Sequence, residues 1–165
     1  MLRNGWKQEM IGFGLQLESS EFRSMKNKLS LQNVINAVRE FHDAFKIPNS
    51  DRPNASLKEE EVMLRYRLMA EENDEYLDAA KTGDIVEIAD ALGDQLYILC
   101  GTILRHGMHN VIEEVFKEIQ SSNMSKLGAD GMPIYREDGK VMKGPNYFKP
   151  NIKGAMDNAL SQLES

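Results

Sequence analysis

The residue types that could do chemistry in this chain are carboxylates. Four acids crowd Glu71-Glu72-Asn73-Asp74-Glu75, and two more stand in Asp90-Ala91-Leu92-Gly93-Asp94, with Glu87 just upstream. On a helix, residues three or four apart share a face, so each group projects its acids together. Crowded carboxylates repel, and desolvating them is costly. A divalent cation resolves both problems. The set is all oxygen, with no accompanying Cys or well-placed His, which selects a hard ion: magnesium, with manganese tolerated. A ferritin-like di-iron site needs Glu-x-x-His pairs, whereas Glu71, Glu72, Glu75 and Glu87 are followed at +3 by Asp, Glu, Asp and Asp.

The plain alternative is a solvated acidic patch. A solvated helix places its acids opposite its leucines. Here Leu57, Glu61, Leu64, Leu68, Glu71, Glu72, Glu75 and Ala79 fall on one face, so the apolar stripe runs straight into the acids. The next helix repeats the anomaly. Ile85, Ile88, Ala89, Leu92, Leu96, Leu99 and Ile103 form its main stripe, while the opposite face carries Glu87, Asp90, Asp94, Tyr97, Ile98 and Gly101. Both faces of that helix read as covered.

Between the two helices, Thr82-Gly83-Asp84 makes a tight turn, with Gly83 ending one helix and Asp84 capping the next. Such a connection implies antiparallel neighbours. Glu75 lies eight residues before Gly83 and Asp90 seven after; Glu71 and Glu72 lie twelve and eleven before, and Asp94 eleven after. Two layers of acids therefore face each other, one turn apart.

The remaining elements frame this hairpin. Ser30 caps a first helix with Leu31, Val34, Ile35, Val38, Phe41, His42 and Phe45 at helical spacing. Prolines and turn formers make 47–54 a loop. The second helix should start near Ser56, where Ser56-Leu57-Lys58-Glu59 has capping-box spacing, and run to about Ala80. The third spans Ile85 to Arg105, stopped by His106-Gly107, and a fourth runs from about Asn110 to Ser122. Residues 123–152 are rich in Gly, Pro and Lys, with a short hairpin through Pro133–Val141, and a last helix covers 153–163. The fold expected is all-α: a helical bundle built around a central antiparallel hairpin, with an irregular basic C-terminal tail. Residues 1–30 read as an N-terminal extension or oligomer contact, and 31–165 as the domain.

Composition bounds the function. Of 165 residues, 41% are hydrophobic and 28% charged, a globular balance. The net charge of −6 argues against a nucleic-acid polymer or an anionic membrane as partner. No apolar run is long enough to span a bilayer, and the first thirty residues are broken by charges, so no signal peptide is expected. The single Cys100 points to a reducing compartment, hence the cytoplasm. An acidic protein acting on an anion must supply local cations, and the lysines at 126, 140, 143, 149 and 153 are placed to do so.

Leu68-Met69-Ala70-Glu71-Glu72-Asn73-Asp74-Glu75, the Gly83-Asp84 turn and Ala89-Asp90-Ala91-Leu92-Gly93-Asp94-Gln95-Leu96-Tyr97 resemble the all-α nucleoside triphosphate pyrophosphohydrolases. Within them the closest match is the phosphoribosyl-ATP pyrophosphohydrolase-like branch, related to MazG and the dimeric dUTPases. Ser122-Asn123-Met124-Ser125-Lys126-Leu127-Gly128, Asp138-Gly139-Lys140-Val141 and Lys143-Gly144-Pro145-Asn146-Tyr147 are similar to the same branch, so the resemblance covers about 31–152. It implies a magnesium-dependent enzyme that cleaves a nucleoside triphosphate between its α and β phosphates, giving a nucleoside monophosphate and pyrophosphate. One departure matters. The family's second motif is Glu-x-x-Asp, and aligning on Asp94 puts Ala91 where the glutamate should be. Either Glu87-Ile88-Ala89-Asp90 supplies that spacing, or Asp90 replaces the glutamate from one position earlier.

The chemistry needs a metal on the phosphates, an activated water and cations to offset developing charge. Glu72, Glu75, Asp90 and Asp94 are expected to hold the metal, with Glu87 the open member. Glu71 is the candidate to orient or deprotonate the water, or to support the ligands from behind. Lys126 and Lys143, with Lys140 and Arg65, would hold the triphosphate, and Asn123 would add a hydrogen bond. Phe41 and His42 either line a base pocket or serve the core, and Tyr97 or Tyr147 offers a ring to a base. Two long helices with covered second faces are hard to bury in so small a chain, which predicts a homodimer or homotetramer with the site near a subunit interface. From a different class, a catalytically silent nucleotide-binding or helical interaction module would share these elements. Base and sugar specificity is not written in the acids.

Overall fold

The computed structural model describes residues 30–164, so the expected extension, apart from Ser30, lies outside the described residues. Those residues form five helices and no strand, the all-α class that the periodicity predicts: α1 (Leu31–Ala44), α2 (Glu59–Thr82), α3 (Ile85–Arg105), α4 (Ile112–Met124) and α5 (Ile152–Leu163).

Local chemistry sets each boundary. Ser30 Oγ accepts from the Asn33 N–H at 3.2 Å and opens α1. The α2 start differs from expectation: Lys58, not Ser56, is the N-cap. The Ser56 N–H is taken by Asn54 Oδ1 at 2.8 Å, closing a local turn, and it is Glu61 whose carboxylate reaches back to the Lys58 N–H at 3.3 Å. Gly83 ends α2 at φ 73°, a left-handed conformation that glycine adopts without strain, and its N–H bonds Ala79 O. Asp84 Oδ1 then accepts from the Val86 and Glu87 N–H groups, so α3 begins after a connection of only two residues. The fourth helix lies two residues later than expected, at Ile112–Met124.

The core forms where α1 crosses the C-terminal half of α3. Ile35, Val38, Cys100, Ile103 and Leu104 are buried there, with Leu31, Val34, Met108 and Ile112 packed against them. The loop after α1 is sewn onto the end of α3: the Ser50 N–H bonds Leu104 O, Ser50 Oγ bonds Arg105 O, and the Asn54 N–H bonds His106 O. These bonds satisfy carbonyls that a helix end leaves without partners. Gly107 allows this approach, because a Cβ there would stand 2.0 Å from Arg52 O.

In the tail, Tyr135 and Val141 form an antiparallel bridge, flanked by bonds from the Arg136 N–H to Lys140 O and from the Met142 N–H to Ile134 O. This is the expected short hairpin. Helix α5 packs against α4, and Ser122 Oγ donates to Phe148 O to close the loop between them.

Candidate active site on the α2–α3 hairpin

The two helices of the hairpin meet along one stripe each: Glu61, Arg65, Leu68, Glu72, Glu75 and Ala79 on α2, and Ala91, Gln95, Ile98 and Arg105 on α3, with Asp90, Asp94, Tyr97 and Gly101 along the flank of that stripe. Three contacts fix their register. At the open end Arg105, 7% exposed, pairs with Glu61. One layer in, Arg65 lies across Gly101, where a Cβ would stand 3.0 Å from its Nη1. Near the turn, Gln95 Nε2 donates to the Glu72 backbone carbonyl at 3.3 Å. Gln95 is the residue that sequence reasoning missed. Its only signal is a place beside Asp94, which nothing in the spacing distinguishes.

This register brings the acids together around Glu72. Its Oε2 is buried without a hydrogen-bond partner, an arrangement costly for a charged group. Burial, and then the charges of Asp94, Glu75, Glu71 and Asp90, push its carboxyl up from 4.5 to about 7. The acids from the two motifs thus act on a single group. Glu87 is not among those charges; it lies in the first turn of α3, where Asp84 receives its N–H. Among the described residues no three Asp, Glu, His or Cys side chains form a ready-made metal shell. An orphaned buried oxygen amid carboxylates fits a hard divalent cation.

The predicted cations are arranged separately. The Lys126 Nζ donates to Asn123 Oδ1 at 2.7 Å, and the Gly144 N–H bonds Lys126 O at 2.9 Å. Only glycine allows that second contact, since a Cβ at 144 would lie 2.0 Å from Leu127 O. The Lys143 Nζ sits 4.3 Å from the Tyr147 ring centroid. Asn123, Lys126 and Lys143 therefore form one basic loop on α4, with Lys140 out on the hairpin beyond it. None of these lysines is among the charges acting on Glu72. Arg65 keeps other company, beside His42 and Arg105. His42, 2% exposed, bonds Asn49 Oδ1 through Nδ1 at 2.7 Å and serves the core.

Comparison with known proteins places these helices. The model of the phosphoribosyl-ATP pyrophosphohydrolase family matches residues 38–123, just over half of the chain. That span holds both acidic motifs and ends before Lys126. Among solved structures, a "putative NTP pyrophosphohydrolase" from Exiguobacterium sp. 255-15 aligns with 25% identity and a TM-score of 0.42, covering 80% of this chain and 96% of that one. No curated protein matches significantly. The α2–α3 hairpin with its facing acids is thus the heart of the matched region, and the chain belongs to the phosphoribosyl-ATP pyrophosphohydrolase family and is a pyrophosphohydrolase.

Proposed function

We propose that the protein is a magnesium-dependent nucleotide pyrophosphohydrolase that cleaves a nucleoside triphosphate between its α and β phosphates, releasing a nucleoside monophosphate and pyrophosphate. The observation that carries this reading is Glu72, whose buried, unpartnered Oε2 is surrounded by Asp94, Glu75, Glu71 and Asp90. Glu72, Glu75, Asp90 and Asp94 would hold the cation, with Glu87 an outer member. Bound there, magnesium (or manganese) would neutralise phosphate charge and lower the pKa of an attacking water.

The chain's own groups do the rest. Glu71 is exposed beside the ligands and rotated off them, placed to orient the water or take its proton. Lys126 and Lys143, with Lys140 and Asn123, would bind the triphosphate and offset charge on the leaving pyrophosphate. Arg65, also a phosphate candidate by type, stands two turns from Glu72.

An oligomer is part of the reading. Ile85, Leu92, Leu96 and Leu99 of α3 are between 43% and 73% exposed, a contiguous apolar face of the kind that marks an interface. We infer a homodimer or homotetramer assembled through that face, with the acids on the opposite side of α3. A cytoplasmic address is supported by the lone buried thiol of Cys100 and would be checked by cell fractionation. Among the described residues no helix is long and apolar enough to cross a membrane.

The test is a panel of nucleoside triphosphates with magnesium, assayed for released pyrophosphate. We expect turnover that Glu75→Gln and Asp94→Asn each reduce by at least a hundredfold, as for loss of groups that act as a unit. Release of orthophosphate alone, or turnover indifferent to both substitutions, would sink the reading.

A further inference from the structure

Beside the acids lies a set of rings for which the phosphate chemistry has no use. Phe41 of α1 and Phe45, the residue at that helix's C-cap, lie with centroids 4.3 Å apart and planes tilted by 32°, and Phe41 meets Tyr97 of α3 edge-on at 5.7 Å. Tyr97 follows Asp94 by three residues on the same flank, about 4.5 Å along the axis. The two are close enough that Asp94, after burial, raises the phenol. The rings are open to solvent, with Phe45 66% and Tyr97 38% exposed.

One layer further from the acids stands Arg65. It is half-buried, and its guanidinium is drawn below its usual range by burial and then by Arg105. Glu61 is engaged with Arg105, and no ion pair joins Arg65 to a carboxylate among the described residues. The ledge therefore has acids at one end, aromatic faces in the middle and a cation about 10 Å from Glu72 at the other. A partner helix would want continuous apolar surface, which the leucine stripe on another side of α3 supplies. A flat, polar-edged ring attached to a phosphate chain matches the ledge better.

We propose that Phe41, Phe45 and Tyr97 form the shelf on which the substrate's nucleobase stacks, with Arg65 at its inner end donating to the base edge. A guanidinium offers donors and no acceptor; guanine presents two adjacent acceptors and uracil two carbonyls, whereas adenine sets its 6-amino donor beside N1 and N7, so the shelf favours guanine and uracil over adenine. This inference rests on the proposed triphosphate site and deepens it.

Calorimetric titration of the full chain with magnesium tests it, using non-hydrolysable α,β-methylene analogues of guanosine, uridine and adenosine triphosphates beside inorganic tripolyphosphate. The guanosine and uridine analogues should bind more tightly than the adenosine one. Tyr97→Leu should weaken all three about tenfold, the scale of a lost base–aromatic stack, and leave tripolyphosphate unaffected. Phe45→Leu, at the exposed edge where folding is not at stake, should do the same more weakly. Arg65→Gln should erase the preference among bases. Equal losses for nucleotides and tripolyphosphate, unchanged affinity in the ring variants, or absent base preference in the parent would each overturn the proposal. So would light scattering that shows Phe45→Leu breaking an oligomer while nucleotide affinity holds. If natural triphosphates release no pyrophosphate yet base-dependent binding persists, the hydrolase reading fails and the shelf stands.

Discussion

Glu72 shows how one side chain can work against the fold that it serves. Its carboxyl is held at about 7 against 4.5 for an ordinary glutamate, so the folded state binds the proton more tightly than the unfolded one. Its contribution to stability is present below about pH 4.5 and is lost as pH rises through about 7. At about pH 8, without a divalent cation, Glu72→Gln should therefore melt a few degrees above the parent, while its pyrophosphate release falls by at least a hundredfold. Magnesium should raise the melting temperature of the parent and not of the variant, because a ligand stabilises only the state that binds it. Melting curves with and without magnesium, beside an assay of released pyrophosphate, check all three. His42 has the opposite sign. Burial draws it below 6.5 despite its bond to Asn49, so the unfolded chain takes up the proton first. Its contribution is present above about pH 6.5 and declines as pH falls below that value. His42→Gln should flatten the acid limb of the stability profile.

At the scale of elements, the hairpin works through its register, to which Gln95 and Gly83 each contribute. Gln95 ties α3 to the backbone of Glu72. Gln95→Leu should cost about 1 kcal/mol, the worth of one part-buried hydrogen bond. As a positioning residue it should also raise the magnesium concentration needed for half-maximal activity, which a purely structural role would leave unmoved. Gly83 meets nothing within 4 Å, so its requirement is conformational alone, a φ of 73°. Gly83→Ala should lower stability by about 1 kcal/mol through left-handed strain, with magnesium dependence unchanged. The turn and both caps were legible because Gly83 and Asp84 act through local backbone chemistry. The true start of α2 was not, since Ser56 loses its N–H to the Asn54 side chain and Glu61 selects Lys58 instead.

For the whole molecule, the exposed leucines of α3 are the consequence of building one long hairpin in a small chain. Leu96→Glu, placed on a face that is 43% exposed in one copy, should leave the helices intact by circular dichroism. It should shift light scattering to the monomer mass and reduce activity with it, because two charges forced into an apolar contact cost more than such an interface gains. A parent chain that is monomeric at micromolar concentration would remove the basis for this expectation.

Periodicity, capping and a two-residue turn are local properties, so the helical class, the antiparallel hairpin and the facing of Glu72 and Glu75 toward Asp90 and Asp94 could be read from the residues alone. The family resemblance stood on the same residues. What needed tertiary structure was everything set by contacts between elements. Only the fold singled out Glu72 as the buried oxygen without a partner, paired Arg105 with Glu61, and set Phe41 against Tyr97 beside Asp94. Only the fold gathered Asn123, Lys126 and Lys143 into one loop, through a glycine at 144 whose missing side chain makes room for the Leu127 carbonyl. Spacing along a helix decides which side chains share a face. Which of them loses its water, and to which neighbour, is decided by packing.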